Sequence, residues 1–340
     1  MLVFYCDSEQ GYRPRSSFLY GRFTPNPEVP ERTQALLEAL RGRPGFELRE
    51  PPATREEWLE QAHSRDYLQA LAAVCDRLKP DEEFFAFNLQ RLPLLLRSPY
   101  AKLRVGYYAL DGSTPLRAES YRTSVAAAAS AMAGARALLA GAPVAYALLR
   151  PPGHHAGRET YGGYCLVNHA AVAATTLLER GKVAILDVDY HHGNGTQDIF
   201  WSRDDVLYVS LHCRPEEAYP YIAGATDEIG AGRGRGFNVN LPLPGGTDWD
   251  AYVPALDSAL ETVARFRPET LVLSLGFDTL ATDPIGSFRL QVPDFEPMGR
   301  RIAQLGLPTL VVQEGGYDLA RIGACAQAFF AGLGVSGGAG

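Results

Sequence analysis

From residue 121 onward the chain alternates two apolar rhythms. Short continuous runs, "VAYALL", "KVAILDVD", "DVLYVSL", "TLVLSLG" and "PTLVVQ", have the length of buried strands. Between them lie "SVAAAASAMAGARALLAG", "NHAAVAATTLLERG", "WDAYVPALDSALETVARF" and "DFEPMGRRIAQLG", whose apolar residues recur at helical spacing. Asn168 is placed to cap the second of these helices and Gly181 to stop it. Upstream, "LVFYC" reads as an opening strand, and "ERTQALLEALRG", "TREEWLEQA" and "RDYLQALAAVCDRL" read as helices. Strands buried on both faces and alternating with helices predict an α/β fold with a mostly parallel sheet covered on both sides. Residues 81–120 break the rhythm by mixing aromatics, prolines and glycines. They predict a long ordered insertion of the kind that shapes access to a site or contacts a partner. No internal repeat interrupts the pattern, and one domain spanning residues 1–340 is expected.

In such sheets ligands bind beyond the carboxyl ends of the strands. The polar anomalies of this sequence fall there. "YALL" runs into "RPPGHHAG", "VAIL" into "DVDYHHGNG", "LYVSL" into "HCRPEEAY", "VLSLG" into "FDTLATD", and "TLVV" into "QEGGYD". Five strand ends carry His, Asp, Glu or Tyr, and they are expected to meet on one edge of the sheet.

Composition narrows the classes. The chain has 340 residues, 46 % of them hydrophobic and 21 % charged, which is ample for a core. A net charge of −7 argues against a nucleic-acid surface and suits a small, cationic partner. Five dispersed cysteines, with no C-x-x-C pair, fit a reducing compartment. The N-terminus has no signal-peptide pattern and no run is long enough for a membrane span, so a cytoplasmic protein is expected.

Asp187, Asp189 and His191 share one face if the strand stays extended. Asp189 and His191 then make a pair of metal ligands, with Asp278 at the next polar strand end as the third. Three protein ligands with an open position are the pattern of catalytic zinc. A hydrogen-bonded strand end is the plainer alternative for Asp-x-His. Gly193, where a second metal would want another carboxylate, weakens a binuclear site. The tandem His154 and His155 can move protons near neutral pH, with Asp187 and Asn194 behind their rings. Tyr317, after two glycines, can donate to an oxyanion or simply pack in a turn. Gly163 allows close substrate approach, and Tyr164 can wall a channel or belong to the core.

Together "RPPGHHA", "GGYCLVNHAAVAA", "LDVDYHHGNGTQDIF", "VSLH", "LSLGFDT" and "EGGY" resemble, in order, the zinc-dependent deacetylases of the arginase/deacetylase fold. The "LYG" at Leu19–Gly21 and "VGYYALDGSTPL" resemble the acetylpolyamine amidohydrolase branch. The resemblance implies a single domain with a central sheet of about eight strands. It implies one zinc on Asp189, His191 and Asp278, and a potassium ion on Asp187, Asp189, His191, Ser210 and Leu211. It makes His155 the general base beside His154, pairs Asp187 with His154 and Asn194 with His155, and gives Tyr317 the carbonyl. Gly163 would accept the substrate amide N–H, and Tyr164 and Tyr219 would line the tunnel. The 81–120 insertion would form a homodimer and narrow the active-site mouth.

One departure follows from the same alignment. Phe18 and Lys102 stand at two substrate-binding positions that are acidic in the polyamine branch, so a cationic tail would meet an aromatic ring and a like charge unless Asp111 or Glu119 compensates. The implied activity is hydrolysis of small N-acetylated amines, acetylpolyamines first. Acetyl-lysine in peptides is the alternative substrate, and a non-catalytic binder of acetylated amines is the alternative class. A dimanganese ureohydrolase is disfavoured by Gly193.

Overall fold

The strands expected from the apolar runs lie side by side. The computed structural model describes residues 1–6, 11–19, 21–53, 56–87 and 92–335. Its first part comprises β1 (Leu2–Phe4), β2 (Ser16–Leu19), β3 (Arg22–Pro25), α1 (Glu31–Leu40), β4 (Glu47–Arg49), α2 (Glu56–Leu59), α3 (Arg65–Cys75) and α4 (Ala101–Arg104). Then come α5 (Ser120–Leu139), β5 (Val144–Ala147), α6 (His169–Leu177), β6 (Val183–Asp187), α7 (Asn194–Phe200) and β7 (Val206–Cys213). The last part holds β8 (Asn238–Leu243), α8 (Trp249–Phe266), β9 (Thr270–Leu275), α9 (Phe295–Ala303), β10 (Thr309–Gln313) and α10 (Ile322–Gly332). Eight strands form one sheet in the order β4-β1-β5-β10-β9-β6-β7-β8, and every neighbouring pair is parallel.

Alternation explains why the runs are apolar throughout. Val183 and Ile185 of β6 face one core, with α3, α5 and α6, while Ala184 and Leu186 face the other, with α1, α8, α9 and α10. Every residue of β6, β7, β9 and β10 is buried. Asn168 caps α6 by accepting the Ala171 N–H at 2.9 Å. The edge strands β4 and β8 and the β2–β3 hairpin are additions to the expected elements. β4 has three residues, and β8 interleaves Asn238, Asn240 and Pro242 with its apolar positions, so neither carries a clear apolar run. Among its described residues, the insertion between 81 and 120 holds α4, short 3₁₀ turns at Pro93–Arg97 and Val105–Tyr107, a bridge between Phe84 and Leu116, and at its end the first residue of α5; residues 88–91 lie outside the described residues. Tyr20, in the middle of the "LYG" motif, also lies outside them.

A buried ionic knot ties the N-terminal segment to the sheet edge. Glu28, fully buried, accepts from Arg32 Nη1 at 2.9 Å and from Arg150 Nη2 at 2.5 Å. Arg32 also donates to the carbonyls of Gly316 at 2.7 Å and Glu314 at 2.5 Å. The knot therefore fixes both the turn after β5, which begins at Arg150, and the turn after β10. Breaking a buried pair by removing one charge typically costs about 3–5 kcal/mol. Glu28→Gln is expected to lower stability by about that much, read as a reduced urea midpoint in chemical unfolding.

Candidate active site

Five central strands, β5, β10, β9, β6 and β7, deliver their carboxyl ends to one cavity of about 590 Å³. His154, His155, Gly163, Tyr164, Asp189, His191, Tyr219 and Tyr317 are all at its wall. The extended conformation stops at Asp187, however, so the shared-face argument does not hold beyond it. What keeps Asp187, Asp189 and His191 together is a relay of turns. The Asp189 N–H donates to Asp187 Oδ1 at 3.2 Å, and the His191 N–H donates to Asp189 Oδ1 at 2.8 Å.

Asp189, His191 and Asp278 bring one donor atom each to within 4.8 Å of one another. His191 Nδ1 lies 3.3 Å from Asp189 Oδ1 and 3.0 Å from Asp278 Oδ2. The remaining carboxylate oxygens are held by the protein: Gly315 N–H donates to Asp189 Oδ2 at 2.7 Å, and Tyr190 N–H to Asp278 Oδ1 at 3.0 Å. A Cβ on Gly315 would stand 2.3 Å from Asp278 Oδ2, so glycine is required there. Burial and the Asp189 carboxylate push Asp278 up to about 7. Burial alone would raise Asp189 too, but His154 and His191 hold it below the usual range. Against the cost of burial, the two carboxylates push His191 up to about 9. A pair of buried carboxylates that draws positive charge onto an adjacent imidazole fits a divalent cation bound by two carboxylates and one imidazole. A Cβ at Gly193 would come within 2.4 Å of both Asp187 Oδ2 and the Tyr208 hydroxyl, so no larger side chain fits there without displacing them.

The tandem histidines are the central residues of a turn closed by Ala156 N–H to Gly153 O at 3.0 Å. Their rings lie 4.1 Å apart, centre to centre. His154 Nδ1 is 3.0 Å from Asp187 Oδ2, which also accepts from the Tyr208 hydroxyl at 2.9 Å. His155 Nδ1 is 2.8 Å from Asn194 Oδ1. The different partners separate the two rings. Burial opposes a charge on His154, but Asp187 and Asp189 outweigh it and push it up to about 10. Burial and the neighbouring His154 and His191 push His155 well below the usual histidine range. One imidazole is thus biased to be charged and the other neutral.

Tyr317 is nearly buried, its ring beneath the Arg32 guanidinium at 4.5 Å. Burial holds its phenol well above the ordinary tyrosine range, so it remains a donor. The backbone N–H groups of Tyr317 and Asp318 donate to buried Asp283 at 2.6 and 3.2 Å. Tyr164 adopts φ +69°, an uncommon conformation for a non-glycine residue, next to Gly163 at φ +54°. Asp111, from the insertion, holds this turn. Its Oδ2 accepts from Gly163 N–H at 2.7 Å and from the Tyr219 hydroxyl at 2.9 Å, and its Oδ1 accepts from the N–H groups of Ser113 and Thr114. Tyr219 in turn packs edge-on against His155, ring centres 4.7 Å apart.

Two expectations about the mouth need correction. Phe18 does line the cavity, but Lys102 does not; its ammonium is paired with Glu82 and sits over the Phe84 ring at 5.3 Å. A cationic tail therefore meets no like charge from Lys102. Of the suggested compensating acids, Asp111 lines the cavity, its carboxylate also accepting the internal bonds above, whereas Glu119 does not line it and faces Arg117 at 3.5 Å. Glu217, at the cavity wall, is bonded to Gly245 N–H at 2.8 Å and Arg214 Nε at 3.1 Å. Ser210 and Leu211 are buried in β7, with Ser210 in register beside Asp187 and its hydroxyl 2.8 Å from His212 Nδ1. Asp283 and Glu314 stand in the strand ends "FDTLATD" and "QEGGYD", but nothing in the sequence assigns either of them, or the clamping Asp111, a separate role.

With this geometry in hand, similarity decides the family. Residues 26–333 match the Histone deacetylase domain. The chain belongs to the histone deacetylase family. Within this family it is 42 % identical over 331 residues to Acetylpolyamine amidohydrolase 1 of Pseudomonas aeruginosa, covering 95 % of this chain and 96 % of that protein. It is 35 % identical over 316 residues to the Histone deacetylase-like amidohydrolase of the same organism, covering 89 % and 74 %. The crystal structure of acetylpolyamine aminohydrolase from Burkholderia pseudomallei superposes with a TM-score of 0.94 at 41 % identity, covering 98 % of each chain. No helix among the described residues is long and apolar enough to cross a membrane.

Proposed function

We propose that this histone deacetylase family member is an amidohydrolase that removes acetyl groups from small N-acetylated amines, acetylpolyamines foremost. The observation that carries the reading is the meeting of Asp189, His191 and Asp278 beside the His154–His155 turn and Tyr317. The near full-length similarity to amidohydrolases of acetylpolyamines supports the substrate class. Zinc is the ion proposed for the three ligands; when bound, it supplies Lewis acidity that polarises the acetyl carbonyl and acidifies an attacking water. A potassium ion on Asp187, Asp189, His191, Ser210 and Leu211 belongs to the same proposal, supported by the register that sets Asp187 beside Ser210.

The chain's own residues divide the proton work. Because His155 Nδ1–H donates to Asn194 Oδ1, its Nε2 is the free acceptor, and its neutral bias suits it to take the water's proton. His154, kept cationic by Asp187, stabilises the negative charge that develops nearby and holds a proton for the departing amine. Tyr317, a protonated phenol, donates to the carbonyl oxygen as it becomes an oxyanion. The Gly163 carbonyl accepts the substrate N–H, and Tyr164 and Tyr219 line the cavity beside it. The amine tail then passes the cavity wall that carries Phe18 and Tyr221 together with Asp111 and Glu217, where aromatic rings and carboxylates can meet a cation.

Beyond the site, the insertion exposes Phe87, Leu92, Leu94 and Tyr100, each more than half accessible, which supports a homodimer formed through it. Four buried cysteines outside any disulfide, Cys75, Cys165, Cys213 and Cys325, support a cytoplasmic setting. The deciding assay compares acetylputrescine, acetylspermidine and an acetyl-lysine peptide on the metal-loaded protein. Turnover of the two polyamines with higher kcat/KM than the peptide is expected. Turnover of the peptide alone would reject the polyamine assignment, and bound metal with no hydrolysis of any acetamide would reject the enzyme.

A further inference from the structure

Glu314 is a fully buried carboxylate that the chemistry above does not use. It lies one residue beyond β10, immediately before the glycines that lead to Tyr317. Its side chain bonds to the backbone of the histidine turn. Oε2 accepts two backbone N–H groups, from Gly153 at 2.7 Å and from His154 at 3.1 Å. Oε1 accepts from the Ser274 hydroxyl of β9 at 3.1 Å. A single carboxylate thus pins the ends of β5, β9 and β10 to one another.

The need for it can be read from the chain. After β5 come Pro151 and Pro152, which have no N–H to donate. Gly153 and His154 are therefore the first donors past Arg150, both lie in the buried interior, and the turn they open uses only the Ala156 N–H for its own closure. Without Glu314 these two donors would have no acceptor at this depth. Two unpaired buried donors would destabilise the turn that carries both imidazoles. From the ring side, Asp187 and Asn194 fix how the imidazoles rotate; the backbone that bears them is held by the Gly195 and Thr196 N–H groups, which donate to the His154 carbonyl at 3.0 and 3.1 Å, and by Glu314, which accepts the Gly153 and His154 N–H groups.

We propose that Glu314 is a positioning residue for the His154–His155 pair, acting as a hydrogen-bond acceptor of fixed reach on the backbone of their turn. The inference rests on the proposed deacetylase reading for its kinetic consequence but not for its structural one. Glutamine has the same length as glutamate and keeps a carbonyl acceptor at the position of Oε2, while removing the charge. Reach and charge can therefore be separated. Glu314→Gln keeps the length, accepts both N–H groups on its carbonyl and donates its amide to Ser274. Glu314→Asp keeps the charge and loses a methylene of reach.

The experiment measures kcat and KM on acetylputrescine for the metal-loaded parent, E314Q, E314D and E314A. In parallel, ¹⁵N-histidine spectra of the four proteins follow the ring N–H protons bonded to Asp187 and Asn194. Misplacing catalytic groups by about 1 Å costs about 10²-fold, so E314D and E314A are expected to lose roughly 10- to 100-fold in kcat with KM changed less than about threefold. E314Q is expected to stay within about fivefold of the parent in kcat, because its two backbone bonds are remade. The two ring signals are expected at parental positions in E314Q and displaced in E314D. Should E314A fail to fold, the ordering of E314Q above E314D carries the test. E314D at or above E314Q in kcat, with undisplaced ring signals, overturns the inference. If the parent hydrolyses no acetylated amine, the functional proposal falls by itself, while the ring signals still decide whether Glu314 positions the histidines.

Discussion

Replacing Asp278 with Asn is expected to strip the protein of its metal and to lower kcat/KM by about 10³ or more, equivalent to about 4 kcal/mol of transition-state stabilisation. The three proposed ligands form a balanced set in which the fully buried carboxylates of Asp189 and Asp278 would offset a divalent charge. An amide at 278 keeps the shape and can still accept the Tyr190 N–H, so β9 and the following turn should keep their course. What disappears is half of the anionic charge. In a buried environment that loss weighs far more than it would at a surface, because water does not screen the remaining imbalance. Loss of even an outer hydrogen-bond partner of a ligand typically costs about 10–100-fold in metal affinity or activity, and loss of a ligand is more severe. Metal content measured on the purified variant beside steady-state kinetics checks the expectation. A variant carrying one ion per chain with parental turnover would show that Asp278 is not a ligand.

The ease with which Asp278 was found in the sequence is instructive. Its strand, "TLVLSLG", is apolar on both faces, so a carboxylate at its end stands out against a background that has no other reason for charge. The same contrast exposed His154, His155, Asp189, His191 and Tyr317. It also set the sheet: the apolar runs became contiguous strands because a strand covered on both sides has to be apolar at every position. Where the contrast was weak, the reading stopped. β4 is too short to show a pattern, and β8 places polar Asn238 and Asn240 among its apolar residues, where they bond to Gln197 inside the protein.

Side-chain partners across long separations were the other blind spot. Lys102 and Phe18 stood together in the alignment as mouth residues, yet an ion pair with Glu82, twenty residues earlier in the chain, turns the lysine away. Asp111 reaches Gly163 from 52 residues away, and Glu314 reaches Gly153 from 161. Periodicity carries no information about such contacts, because they depend on which strand ends the sheet order makes neighbours. The Asp187–Asp189–His191 cluster shows a subtler gap. An extended strand was the assumed cause of their convergence, whereas successive side-chain-to-backbone turns after Asp187 produce it. The residues were legible; the geometry that unites them was not.

Tyr317→Phe should isolate the last chemical group of the site. The ring's packing is independent of its hydroxyl: the Arg32 guanidinium lies over the ring face, and Asp283 holds the backbone N–H. Phenylalanine preserves both, so the thermal midpoint should move little. The hydroxyl, kept protonated by burial, has its use only when the acetyl carbonyl becomes an oxyanion. Loss of one such donor costs about 10²–10³ in kcat, or about 2.7–4 kcal/mol. Because the donor strengthens mainly in the transition state, kcat and kcat/KM should fall together while KM stays near its parental value. Metal content should be unchanged, since Tyr317 is not among the three ligands. That combination separates it from Asp278→Asn, which loses the ion, and from Glu28→Gln, which loosens the ionic knot and with it the stability of the whole edge. A Tyr317→Phe enzyme with parental kcat would move oxyanion stabilisation from the phenol to the remaining groups of the cavity.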